Sequence, residues 1–252
     1  EGVSYTTAAY TVAINQVSGQ ADPTAGLPIN YTVVFSRAVG SSSFTTSDIV
    51  QNGTATGITW SLSTLDNITW TLSATAITGG SGTVIPSIAA NTVKDTFGND
   101  NAASTSTDNT VSYDVTIPTL SFVSINPGPT GNTLTPTIIG TTSEPATVTL
   151  YYDAACSTAK SSATSNTAFA APGVTVTGNV NTNGSTTIYG KAVDVVGNVS
   201  ICTNLVTYTN DLVNPVVTGV SSTLADGSYK AGQIVPVTVS FSKAVYVTGT
   251  PR

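Results

Sequence analysis

The chain has no histidine and no methionine, and only 8% of its 252 residues are charged. Each absence excludes a class of chemistry. Without imidazole there is no Ser-His-Asp or Cys-His nucleophile, and the common metal-hydrolase ligand sets lose their main donor. Glutamate occurs only at Glu1 and Glu144, and aspartate falls mostly in turn contexts such as Asp66-Asn67 and Asp226-Gly227. A convergent carboxylate pair of the glycosidase kind is therefore not expected, and the chain reads as a non-enzyme. Seven basic residues stand against 13 acidic ones, for a net charge of -6. A nucleic-acid partner needs a basic face that this composition does not supply. No apolar run approaches the roughly 18 to 20 residues of a membrane span, so none is expected in this segment. Residue 1 does not open a charged flank and apolar core of the signal-peptide kind, and the sequence reads as a mature or internal stretch.

Cysteine is scarce but even in number: Cys156 and Cys202. Two thiols without histidine cannot make an ordinary zinc site. An even count within one small β unit points to a disulfide and a setting outside the cytoplasm, the alternative being two buried free thiols.

What the chain does have is Val, Ile, Thr, Ser and Tyr in short alternating runs, punctuated by 22 Gly and 12 Pro. Bulk at Cβ or in a ring suits a half-buried pleated surface, so the fold class is all-β with almost no helix. In Ile68-Thr-Trp70-Thr-Leu72-Ser-Ala74 every second residue is apolar, which places Trp70 and Leu72 on a core face with Trp60 as the expected companion. Further strands are expected at 82–88, 173–180 and 235–241, among others.

The chain also repeats itself. Val111-Ser-Tyr-Asp114-Val-Thr-Ile-Pro118 returns as Val206-Thr-Tyr-Thr-Asn-Asp211-Leu-Val-Asn-Pro215, with the prolines 97 residues apart. Lys94-Asp95-Thr-Phe-Gly98-Asn99 is echoed by Ala192-Val-Asp194-Val-Val-Gly197-Asn198, and Tyr31-Thr-Val-Val-Phe35-Ser-Arg-Ala-Val39 by Val237-Thr-Val-Ser-Phe241-Ser-Lys-Ala-Val245. A period near a hundred is the size of an independent small domain. The expected division is a leader strand or linker at 1–10, a first module at 11–113, a second at 114–210, and an incomplete third at 211–252.

These Asp-x-x-Gly-Asn turns and Asp-x-x-x-Pro starts, with the phrase Pro136-Thr-Ile-Ile-Gly140-Thr-Thr-Ser-Glu-Pro145-Ala-Thr-Val-Thr-Leu150, resemble bacterial immunoglobulin-like (Big-type) tandem-repeat surface and adhesin proteins. The resemblance implies Greek-key β-sandwiches joined as an elongated rod, on a bacterial surface or secreted. Partners would be adjacent modules of the same or a neighbouring chain, and a host-surface or glycan receptor. Other readings are a filament subunit assembled by inter-chain strand complementation, with residues 1–10 as donor, and a carbohydrate-binding module using Trp60 and Trp70.

Calcium is the one cofactor with a physical case, because hard cations take oxygen ligands. Asp95, Asn99, Asp100, Asp114, Asp194, Asn198 and Asp211 gather at the expected module ends. The expected pairings are Asp95 with Asp114 at the first junction and Asp194 with Asp211 at the second. The plainer alternative is that Asp-x-x-Gly-Asn is only a turn.

Overall fold

The computed structural model describes residues 10–40 and 42–249, and all but the last residue of the expected leader at 1–10 lies outside them. Among the described residues nearly all regular structure is β, with one short helix, α1 (Asn166–Ala170), and a single 3-10 turn at Thr46–Asp48. The described residues build two buried cores and a bare hairpin.

In the first core, β1 (Val12–Gln16), β2 (Ile29–Phe35), β4 (Ile58–Thr64) and β5 (Thr69–Ile77) form an antiparallel sheet in the order β1-β2-β5-β4. Two pairs complete the surroundings: β3 (Ile49–Gln51) with β7 (Pro86–Ile88), and β6 (Gly82–Val84) with β8 (Val111–Tyr113). Alternation does the sorting. Val12, Ile14, Tyr31, Val33, Phe35 and Leu72 point to one side and are each at most 1% exposed. Each such burial stabilises by about 1.5–3 kcal/mol.

The segment after Asn101 then returns beside the start of the unit, parallel to it. Ala102 N–H donates to the Tyr10 carbonyl, Thr105 N–H to Val12, Ile14 N–H to Thr105 and Gln16 N–H to Asp108, all at 2.8–2.9 Å. Farther on, Thr24 N–H donates to Ser112 and Asp114 N–H to Thr24, both at 2.9 Å. First and last stretches of this unit are therefore clasped side by side.

The second core lies between two sheets. One has the order β14-β11-β9, from β9 (Leu120–Asn126), β11 (Thr137–Thr142) and β14 (Val174–Thr175). The other runs β10-β16-β15-β12-β13, from β10 (Thr130–Gly131), β12 (Ala146–Tyr151), β13 (Thr164–Ser165), β15 (Ser185–Asp194) and β16 (Thr203–Asn210). Phe169 of α1 is fully buried here with Val148, Leu150, Ile138 and Ile188. Again an early strand lies parallel to the last: Thr209 N–H donates to Pro129 and Asp211 N–H to Gly131. Cys156 and Cys202 are joined at 2.10 Å, tying the loop after β12 to the entry of β16.

The rest is β17 (Val217–Ser222) paired with β18 (Val237–Phe241), and every residue of both strands is exposed.

Three expectations need correction. The strand expected at 82–88 breaks at Ile85, because the Gln51 side-chain oxygen accepts the Ile85 N–H at 2.8 Å and splits the run into β6 and β7, which pair with different partners. The strand expected at 173–180 is regular only over Val174–Thr175; beyond it the segment follows the chain before β11 through isolated bonds from Val176 N–H to Pro136 and Val180 N–H to Leu134. Trp60 and Trp70 are not companions. Register sets Trp60 opposite Ala74 and Trp70 opposite Thr64. Trp60 meets Tyr31 edge-on at 6.4 Å and Trp70 meets Phe44 at 5.2 Å, and both pack half-buried against the first core.

Candidate metal centre

The two Asp-x-x-Gly-Asn turns fold the same way. Asp95 Oδ1 accepts the N–H groups of Phe97 and Asn99, both at 2.9 Å, and Oδ2 accepts the Asn99 side-chain amide. Asp194 Oδ1 accepts Val196 N–H at 2.9 Å and Asn198 N–H at 2.8 Å, and Oδ2 accepts the Asn198 amide. Gly98 and Gly197 sit at φ 85° and 94°, conformations open to glycine that let the turn close on its own aspartate. These contacts hold Asp95 down to about 2, led by the Asn99 amide with backbone N–H groups and Arg37 adding to it. At Asp194 burial pushes upward, but the Asn198 amide and the N–H groups outweigh it and the carboxyl is lowered.

A second motif recurs three times. A serine just past the strand that pairs with each unit's first strand clasps the residue just before that first strand. Thr11 N–H donates to Ser36 Oγ at 3.0 Å while Ser36 N–H donates to the Thr11 carbonyl at 2.9 Å. Thr119 and Ser143 make the same pair at 2.9 and 3.0 Å, and Val216 and Ser242 at 3.0 and 2.9 Å. The residue after each serine faces an aspartate, either of the Asp-x-x-Gly-Asn turn or of the chain entering the unit, and its charge differs. Arg37 reaches Asp95 at 3.3 Å, and Lys243 reaches Asp211 at 2.7 Å. In the second unit the position is Glu144.

Glu144 therefore adds a third carboxylate where its counterparts supply a cation. One carboxylate oxygen from each of Glu144, Asp114 and Asp194 lies within 4.8 Å of the other two. An ion bound at 2.3–2.6 Å spans oxygens up to about 5 Å apart, so the three fit one calcium. Glu144 Oε1 is buried and has no hydrogen-bond partner among the described residues. Burial, then the nearby Asp114 and Asp194 charges, push this carboxyl up. The surroundings are fixed by polar contacts. Ser81 Oγ donates to Asp114 Oδ1 at 3.1 Å, Val115 N–H donates to Ser81 Oγ at 2.9 Å, and Asn198 Nδ2 donates to the Asp114 carbonyl at 3.1 Å. The last bond ties the turn of the second unit to the end of the first.

The seven sequence-nominated residues thus divide. Asp114, Asp194 and Asn198 come together. Asp95 and Asn99 close their own turn with Arg37, and Asp100 pairs with Lys94. Asp211 is held low by Lys243 and Val213 N–H. The expected pairing of Asp95 with Asp114 does not form, because the two lie at opposite ends of the clasp that runs from Asn101 to Tyr113. Asp194 and Asp211 are likewise separated by the length of β15 and β16. Sequence reasoning missed Glu144. Its signal was the alignment of Ser143-Glu144 with Ser36-Arg37 and Ser242-Lys243.

No family model matches this chain, and no curated protein matches it.

Proposed function

We propose that the chain is a segment of an extracellular bacterial surface fibre or adhesin stalk, built from tandem immunoglobulin-like β-sandwiches joined end to end as an elongated rod. We further propose that Asp114, Glu144 and Asp194 hold a calcium ion that stiffens the first junction. One observation carries the modular reading: the serine clasp recurs with the same pair of hydrogen bonds at Thr11–Ser36, Thr119–Ser143 and Val216–Ser242. No helix among the described residues is long and apolar enough to cross a membrane.

Small-angle scattering tests the rod. Two and a half units in line, at roughly 40 Å each, give a radius of gyration near 29 Å, whereas a compact globule of this length gives about 18 Å. The compact value would end the reading. Calcium is tested by melting in millimolar calcium and in chelator: a shift that disappears in Glu144→Gln supports the site, and identical melts sink it. Surface placement is tested by antibody labelling of intact cells of the source.

The filament reading keeps one supporting observation, the exposed hairpin β17–β18, which pairs with no further strand among the described residues.

A further inference from the structure

The hairpin β17–β18 matches β1–β2 strand for strand. Val217 stands opposite Phe241 as Val12 stands opposite Phe35, and Val220 opposite Val239 as Ile14 opposite Val33, with one extra residue absorbed by a bulge before Gly219. Both hairpins close with the same serine clasp. Register therefore sets Val217, Val220, Val237, Val239 and Phe241 on one face, and all are exposed.

The first unit shows what this arrangement takes. There the free edge of β2 is filled by β5, with Val33 opposite Trp70, Tyr31 opposite Leu72 and Ile29 opposite Ala74. Its inner face is closed by Val39, Phe44, Val84, Ile88, Val93 and Val111, all of which come from downstream of the hairpin in the same unit. A second copy is a poorer fit. Two bare hairpins placed face to face offer roughly 400 Å² of apolar side chain each, half of the about 800 Å² per partner of a standard stable interface.

We infer that the edge of β18 and the apolar face of β17–β18 are a docking surface for a β5-type strand, of the kind residues 69–77 supply to β2 in the first unit. Its core chemistry is an extended segment with apolar residues at alternate positions, antiparallel to β18, setting a Leu72-like residue opposite Val237 and a Trp70-like residue opposite Val239. This rests on the modular reading but not on calcium or on surface placement.

The test extends the full chain by grafting residues 40–113 after Val245 and follows amide hydrogen exchange of β18. The expected result is at least tenfold slower exchange at Thr238–Phe241 than in the ungrafted chain, lost on Val239→Asp while the two upstream cores stay protected. In case the graft itself packs poorly, a peptide of residues 69–77 is added in trans, and slowing of the same amides, absent with a scrambled peptide, supports the inference. Unchanged exchange in both arms overturns it. So does a concentration-dependent dimer of the ungrafted chain that protects β18, which would make a second copy the occupant. Either failure leaves the scattering test of the first two units unaffected, so the two readings fail separately.

Discussion

Hairpins β1–β2 and β17–β18 share register, clasp and residue pattern, yet Phe35 is 1% exposed and Phe241 41%, Val33 0% and Val239 45%. The difference separates two kinds of information. Pairing, the clasp and the alternation are local, and they are complete in both copies. Burial is not local: it needs strands that arrive some forty to eighty residues later, as β5 to β8 do in the first unit. A two-stranded hairpin without that cover is marginal in water. The terminal copy is thus a record of what the sequence specifies before tertiary packing contributes.

The sharpest way to break the comparison is to put the same charge into both copies. Val33→Asp places an unpaired carboxylate in the first core and costs about 4 kcal/mol or more, while Val239→Asp stays within about 0.5 kcal/mol. Urea melts of the two variants read the difference directly, and equal effects would mean that the terminal face is covered in solution.

Next comes the second unit, where the loop closed by Cys156 and Cys202 spans 46 residues. Removing the bridge by Cys156→Ser with Cys202→Ser costs about 4 kcal/mol on the chain-entropy account. The loss is confined to that unit, so a first-unit probe such as Trp60 or Trp70 fluorescence keeps its transition midpoint.

The junctions give smaller effects. At the proposed site, calcium at ten times its dissociation constant is expected to add about 1.4 kcal/mol. In Glu144→Lys an ammonium takes the place held by Lys243 in the third unit, and the melt becomes indifferent to chelator. The sign of the pH dependence follows from the raised Glu144. Its contribution is present below the ordinary carboxyl range near pH 4.5 and is lost as pH rises through its higher folded value. In chelator the junction therefore loosens above that window, and calcium restores it. Asp95 runs the other way. Held at about 2 against 3.8, it stabilises above pH 4 and loses that contribution as pH falls toward 2, a change to be seen in the acid limb of the melt and removed by Asp95→Asn. Smallest of all is Lys243→Ala, which removes an exposed pair with Asp211 and leaves the melt of the two cores where it was.

Much of this was legible in the sequence because it is local. The β character, most strand positions, the disulfide and the recurrence of Asp-x-x-Gly-Asn follow from alternation, turn chemistry and spacing. What escaped depends on which ends meet. Asp95 and Asp114 are 19 residues apart and belong to opposite ends of one unit, whereas Asp114 and Asp194 are 80 apart and adjacent. The break at Ile85 escaped for a similar reason, since a Gln51 side chain from another strand takes the place of the ladder. Glu144 looked like one carboxylate among turns until its clasping serine was aligned with the other two.

The parallel clasp of first and last stretches has a consequence in terms of force. When a unit is pulled by its two ends, strands that lie side by side and parallel slide along each other, so their bonds are loaded together in shear instead of opening one by one. The first unit presents six such backbone bonds between its early segment and residues 102–114, whereas the parallel ladder of the second, β10 on β16, is only two residue pairs long. Under tension the second unit yields first, and there Cys156–Cys202 caps the length released by withholding the 46-residue loop it closes.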